Sequence, residues 1–98
     1  SEQNEMEIGL IGLGEMGLMY AKRIANAGWK SVNVCDLPSR YDELKEKLKG
    51  SGLKVLRDGH AVSRRSDFII YSVEAENIDR VVAEYGPSSK VGSIVAGQ

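Results

Sequence analysis

A glycine-rich segment near the amino terminus constrains this chain more than any other feature. Residues 12–17 match the pattern G-x-G-x-x-G and follow a short apolar run, Met6–Ile11. An amphipathic stretch from Glu15 to Ala27 comes directly after the glycines, with apolar residues along one helical face. A buried strand that turns through glycines into a helix is typical of a dinucleotide-binding unit.

The rest of the chain alternates between apolar strands and amphipathic helices. We predict strands at 31–35, 53–56, 67–73 and 93–96, helices at 39–49 and 78–85, and a single surface helical turn at 60–65. This alternation predicts an α/β fold of the Rossmann type, a doubly wound parallel sheet in the order 3-2-1-4-5 with helices on both faces. The 98 residues form one predicted domain, 1–98.

Composition and charge narrow the classes of partner. Thirteen Lys and Arg against fourteen Asp and Glu give a net charge of −1 without a basic block, so we expect no nucleic-acid partner. No apolar run approaches the roughly 20 residues that cross a bilayer, so we expect no membrane partner. The single cysteine, Cys35, has neither a disulfide partner nor a neighbouring metal ligand, and residues 1–7 do not resemble a signal peptide. Together these features favour a cytoplasmic protein without a bound metal.

Each part of the glycine segment has a physical role in binding a nucleotide. Gly12 permits a tight turn, Gly14 lets the backbone approach a pyrophosphate, and Gly17 lets the helix pack closely on the strand. The first N–H groups of the helix then face the pyrophosphate, while Glu15 has to point away from it. The predicted cofactor-binding residues of this loop are Gly12, Leu13, Gly14, Glu15, Met16 and Gly17.

The segment after the second strand bears on the choice of cofactor. Asp36 follows the glycines at the spacing of roughly 20 residues expected for an acid that binds the adenosine ribose of NAD. Such a carboxylate repels the 2′-phosphate of NADP, whereas a hydroxyl from Ser39 and a guanidinium from Arg40 can hold that phosphate. Both residues have ordinary alternatives, a helix cap for Ser39 and a solvated helix start for Arg40. The residues alone leave NAD and NADP open.

A second group of candidates follows the fourth strand. Ser72, Val73 and Glu74 come at its carboxyl end, which lies beside the nicotinamide half of the cofactor in this fold. A simple loop role is equally open for them. His60, the single histidine, falls in a peripheral segment, and we interpret it as a surface or packing residue. We therefore assign no catalytic residue to this chain.

From Ile8 onward the sequence resembles dehydrogenases that open with Ile-Gly-Leu-Gly-x-Met-Gly. The 3-hydroxyisobutyrate and 6-phosphogluconate dehydrogenases share this opening, but Tyr20 and Arg23 stand where they have methionine and asparagine. The nucleotide-binding half of the fungal prephenate dehydrogenases is similar to nearly the whole chain. The segments that carry this second resemblance are Ile11–Leu18, Tyr41–Lys47, Ile69–Ala75 and Tyr85–Gly92.

That resemblance implies oxidative decarboxylation of prephenate to 4-hydroxyphenylpyruvate with NADP, on the route to tyrosine. It also implies a longer, homodimeric parent, in which a helical domain absent from 1–98 supplies the dimer contacts and the substrate-binding groups. We therefore expect the chain to bind NADP(H) better than NAD(H), to be monomeric, and to be inactive with prephenate. Two alternatives stay open: the nucleotide-binding part of a β-hydroxyacid dehydrogenase, and a non-catalytic nucleotide-sensing domain.

Overall fold

Five parallel strands organise the structure, a computed structural model that describes residues 5–29, 31–89 and, as backbone, 94–97. The strands are β1 (Glu7–Ile11), β2 (Ser31–Cys35), β3 (Leu53–Val55), β4 (Phe68–Tyr71) and β5 (Ile94–Gly97). They pair in the order β3-β2-β1-β4-β5. The predicted order is confirmed. Strands β2 and β3 lie on one side of β1, and β4 and β5 lie on the other, so the order of the strands reverses between β1 and β4. The predicted start of the fifth strand, Ser93, lies outside the described residues.

Helices connect the strands and cover both faces of the sheet. The α-helices are α1 (Glu15–Asn26), α2 (Tyr41–Lys47), α3 (Gly59–Arg65) and α4 (Ile78–Tyr85). Short 3₁₀ turns at Pro38–Arg40, Ala75–Asn77 and Gly86–Ser88 adjoin α2 and α4. Within the part of the chain that is described, none of the helices is both long and apolar enough to span a bilayer.

Successive side chains along the strands enter two separate apolar cores, as the pleat of a sheet requires. Leu10 and Val34 are fully buried on the face covered by α1 and α2. Ile11, Cys35 and Tyr71 are buried on the opposite face, which α3 and α4 cover. Because both faces are covered, the central strands are mostly apolar rather than alternating, and the buried Asn33 of β2 is an exception.

The segment predicted as a single surface turn at 60–65 is instead the seven-residue helix α3, and one side of it is buried. Its residue Val62 packs against β1, where a side chain at Gly9 would overlap Val62 and Ser66. Asp58 caps the helix by accepting a hydrogen bond from the Ala61 amide at 3.0 Å. The sequence pattern missed this contact because small residues, rather than an apolar stripe, allow the close approach.

The second predicted helix, 39–49, is shorter in the structure than the pattern indicated. The 3₁₀ turn Pro38–Arg40 precedes it, α2 begins at Tyr41, and the N-cap position is Arg40 without a side-chain cap. Of the two roles left open for Ser39, the helix cap is therefore excluded for α2. Proline occupies the first position of the 3₁₀ turn, so the chain tightens there before the α-helix starts.

Candidate dinucleotide-binding site

Three loops meet at the carboxyl edge of the sheet and are joined by backbone hydrogen bonds. The Gly12 amide donates to the carbonyl of Cys35 at 2.9 Å, which ties the glycine segment to the end of β2. The Ser72 amide donates to the carbonyl of Ile11 at 2.8 Å, which ties the loop after β4 to the end of β1. The structure thus brings the predicted glycine segment, Asp36 and the Ser72–Val73 loop to one edge of the sheet.

Two of the three motif glycines are required by contacts within the protein. Gly12 has a φ of +109°, and a Cβ there would collide with the carbonyl oxygen of Ser72. A Cβ at Gly17 would collide with the carbonyl oxygen of Gly12, because the start of α1 lies directly against the turn. Both glycines therefore hold the first strand, its turn and the following helix in close contact.

Gly14 is different, because nothing in the described part of the chain requires a glycine there. Its φ is −70° and its ψ is −172°, a conformation open to any residue. A Cβ at this position would have no neighbouring atom within 4 Å among the residues that the structure describes, so the space in front of the α1 N-terminus is open there. The first N–H groups of a helix have no intrahelical acceptor and attract anions. This opening fits a pyrophosphate, which would lie where the missing side chain would be.

Two clefts lie on either side of the loop after β4 and share Val73 as a common wall. The first, of about 270 Å³, lies beside Ser72 and is lined by Gly14, Met16, Gly17, Ser72 and Val73. The second, of about 390 Å³, lies between the end of β2 and α4. Its lining residues are Ile11, Gly12, Asp36, Leu37, Val73, Arg80, Val81, Glu84 and Tyr85. A cleft on each side of the glycine loop suits a ligand with two halves joined by a pyrophosphate.

One wall of the second cleft was not predicted from the sequence. Leu37 is 64% exposed, a large apolar side chain left open beside Asp36. Across the cleft, α4 presents Val81 and Tyr85. An exposed leucine opposite the apolar side chains of Val81 and Tyr85 suits the flat face of an adenine ring. Val81 and Tyr85 did have a signal in the sequence, the apolar stripe of the helix at 78–85, which predicted burial but not this cleft.

Asp36, the candidate to bind the ribose of NAD, and Arg40, the candidate to hold the 2′-phosphate of NADP, are bonded to each other. The guanidinium Nη1 of Arg40 donates to the Asp36 carboxylate, and its Nε donates to Glu43 at 3.0 Å. The hydrogen bond to Glu43, followed by the one to Asp36, raises the pKa of Arg40. Asp36 therefore enters the cleft as the partner of a cation. Ser39 lies exposed on the turn between them.

His60 lines neither cleft, and it connects α3 to the end of α4. Its Nδ1 lies 2.7 Å from the Ser88 hydroxyl, and its Nε2 lies 2.8 Å from a Glu84 carboxylate oxygen. Its ring meets the Tyr85 ring edge-on at 4.9 Å between centroids. These contacts steady the two cleft-lining residues Glu84 and Tyr85.

The single cysteine is buried in the core beneath this edge. Burial, helped by the nearby charges of Asp36 and Asp58, raises the pKa of the Cys35 thiol to about 12. It is therefore a protonated packing residue at neutral pH. Within the ranges 5–29 and 31–89, no three His, Cys, Asp or Glu residues cluster in a way that would hold a metal ion.

Comparison with known proteins identifies the family of this chain. A sequence model described as the NAD binding domain of 6-phosphogluconate dehydrogenase matches residues 7–96. The chain belongs to this family. The family is defined by its nucleotide-binding domain, and the matched range includes the glycine segment, Asp36 and the loop after β4.

Curated relatives confirm the resemblance to the fungal prephenate dehydrogenases. One from Saccharomyces cerevisiae, named prephenate dehydrogenase (NADP+), is 59% identical over 91 residues and covers 93% of this chain. One from Schizosaccharomyces pombe, named probable prephenate dehydrogenase (NADP+), is 55% identical over 92 residues and covers 94% of it. The chain spans only 20% and 21% of the length of these relatives.

Solved structures share the fold at low sequence identity. An imine reductase from Myxococcus stipitatus in complex with NADP+ has a TM-score of 0.76 and 21% identity, over 93% of this chain and 31% of that one. A glycerol-3-phosphate dehydrogenase from Coxiella burnetii has a TM-score of 0.81 and 18% identity, over 94% of this chain and 31% of that one. Both similarities concern the Rossmann-like domain and its fold.

Proposed function

We propose that this chain is the cofactor-binding part of an NADP-dependent prephenate dehydrogenase. The observation that carries the binding function is the open backbone at Gly14, in front of the α1 N-terminus and between two clefts. The identity of 59% to a relative named prephenate dehydrogenase (NADP+) supports the reaction. The reaction converts prephenate to 4-hydroxyphenylpyruvate with loss of CO₂, a step toward tyrosine.

The proposed cofactor position follows from the two clefts. The adenosine half would lie in the cleft between Leu37 and Tyr85, where these apolar side chains can contact its ring. The pyrophosphate would lie at Gly14, held by the N–H groups that open α1. The nicotinamide half would extend past Met16 and Ser72 into the other cleft.

The ion pair between Arg40 and Asp36 supports NADP over NAD. A bare carboxylate at this position would accept hydrogen bonds from the ribose and repel a 2′-phosphate. Paired with Arg40, Asp36 loses much of that repulsion. The guanidinium has five N–H donors, of which Asp36 and Glu43 occupy only part, so it can also bond a phosphate oxygen.

In this reaction the nicotinamide would take up a hydride from the substrate. The residues of this chain would bind and orient it, and the apolar side chains of Met16 and Val73 would keep water from its face. The groups that bind prephenate would come from the remainder of a longer protein, in a helical domain that also forms a homodimer. We propose that residues 1–98 alone are monomeric and that the protein works in the cytoplasm.

Activity assays of a protein that contains this domain test the proposal. With NADP+ as oxidant, we expect NADPH to form with prephenate and not with 3-hydroxyisobutyrate or 6-phosphogluconate, while residues 1–98 alone form none. Turnover of either hydroxyacid without prephenate turnover would instead identify a β-hydroxyacid dehydrogenase. Tight nucleotide binding without turnover of any of the three would favour a sensor domain.

A further inference from the structure

Arg57 brings a second guanidinium to the end of the sheet where Asp36 lies. It follows β3, and the amide of the preceding Leu56 donates to the carbonyl of Val34 at 2.8 Å. One residue further along both β2 and β3, Arg57 therefore lies beside the turn that carries Asp36. Its guanidinium carbon lies 4.6 Å from the centroid of the Tyr41 ring. The sequence offered no sign of this, because Arg57 and Tyr41 belong to different elements.

Tyr41 provides a surface on which the guanidinium can lie. It is the first residue of α2 and directly follows Arg40, so both arginines flank one turn. Stacking on an aromatic face orients a guanidinium while leaving its N–H donors at the rim for another acceptor. Among the ion pairs of the described residues, none involves Arg57, whereas Arg40 bonds both Asp36 and Glu43.

The balance of charge at this turn shows why a second cation matters. Arg40 supplies one positive charge against the two negative charges of Asp36 and Glu43, so these three residues are net negative. A phosphate dianion needs a positive site, and Arg57 brings a cation to the Tyr41 side of the carboxyl edge. Arg80 also lines the second cleft, but it lies on α4 and its Nη2 donates to the Asn77 side chain at 3.1 Å. Lys45 also lies over the Tyr41 ring, at 5.5 Å, but one turn further along α2 and away from that edge.

We propose that Arg57, held against Tyr41, is a specificity-determining residue that selects a nucleotide carrying a phosphate on its adenosine ribose. This inference rests on the proposed NADP function. Arg40 neutralises Asp36, Arg57 supplies the charge that attracts the phosphate, and Tyr41 is a positioning residue that orients the Arg57 guanidinium. NAD, which lacks the 2′-phosphate, gains nothing from Arg57.

Calorimetric titrations of the chain with NADP+ and NAD+ test this. We expect Arg57→Ala to weaken NADP+ binding at least tenfold and to change NAD+ binding less than threefold. Tyr41→Leu should weaken NADP+ binding selectively, because the guanidinium loses its aromatic surface, and Tyr41→Phe should restore it. A purely structural role for Tyr41 would instead weaken both nucleotides equally.

Two control variants separate a specific contact from general loss of charge. Arg64→Ala removes an exposed arginine from α3, and Lys45→Ala removes the other cation on the Tyr41 ring. Both should keep the wild-type ratio of NADP+ to NAD+ affinity. If Arg57→Ala keeps it too, or if Lys45→Ala lowers it equally, the role of Arg57 is refuted while the NADP function stands. If the wild-type chain does not prefer NADP+, the proposed function and this inference both fail.

Discussion

The Arg40 guanidinium donates to the carboxylate of Asp36, which lies four residues before it and lines the second cleft. This bond joins the carboxylate that would favour NAD to the guanidinium that would favour NADP. Because the two are partners, the carboxylate is neutralised where a 2′-phosphate would lie. We therefore expect the cofactor preference to depend on this pair together with Arg57, rather than on any one of the three side chains.

Removing Arg40 should convert this pair into a bare carboxylate. We expect Arg40→Ala to weaken NADP+ binding roughly tenfold or more, from the lost charge-assisted hydrogen bond and the exposed repulsion of Asp36. NAD+ binding should change less than threefold. Fluorescence or calorimetric titration measures both affinities, with Arg23→Ala, an exposed arginine at the far end of α1, as the control. Equal loss for the two nucleotides would remove Arg40 from the phosphate site.

The open backbone at Gly14 predicts a substitution that harms binding but not folding. Gly14→Ala places a methyl group where no atom of residues 5–29 or 31–89 lies within 4 Å, so we expect stability to fall by less than about 1 kcal/mol. The same methyl group would meet the pyrophosphate, and affinity for either nucleotide should fall at least tenfold.

The matched control for this variant is Gly28→Ala, at a site that is also open but has a φ of +97°. It should cost about 1–2 kcal/mol in unfolding free energy, because alanine disfavours a positive φ, and should leave nucleotide affinity unchanged. Thermal melts and titrations of the two variants measure both quantities. Wild-type affinity in Gly14→Ala would show that the pyrophosphate lies elsewhere.

Burial of Cys35 predicts a loss of stability at alkaline pH. Its thiol pKa rises from 9.0 to about 12 in the folded chain, so above pH 9.0 the unfolded state releases a proton that the folded state retains. The stabilisation is complete below pH 9.0 and is lost as pH rises toward 12, by roughly 1 kcal/mol for each pH unit. Urea unfolding at pH 8, 9 and 10 measures this slope.

Cys35→Ala removes the thiol and isolates its contribution from those of Tyr71 and Tyr85, whose pKa values burial also raises. The variant should be less stable at pH 8, because it leaves a small cavity, yet its unfolding free energy should fall less steeply above pH 9. Parallel slopes for the variant and the wild type would show that the thiol does not titrate in this way.

The strand order and the glycine turn between β1 and α1 could be predicted because each depends on local chemistry. The spacing of Gly12, Gly14 and Gly17 between a strand and a helix is visible in sequence, and the structure places that turn at the carboxyl edge. Parallel pairing follows from the alternation of strands and helices, since right-handed crossovers allow few arrangements. These features need no knowledge of distant contacts.

The wall that α4 forms in the second cleft, and the ion pair between Arg40 and Asp36, could not be predicted from local sequence in this way. Tyr85 reaches the cleft because Gly59 on α3 leaves room for its ring, a contact between elements distant in sequence. The Asp36–Arg40 bond did have a signal, the spacing of opposite charges four residues apart. The sequence alone, however, did not show whether the intervening turn would bring the two side chains together.

The most direct test of the account is an isothermal calorimetric titration of the wild-type chain with NADP+ and with NAD+ under identical conditions. We predict that both bind at a single site and that NADP+ binds at least tenfold more tightly, in line with a neutralised Asp36 and the arginines beside it. Tighter binding of NAD+, or no binding of either nucleotide, would contradict it.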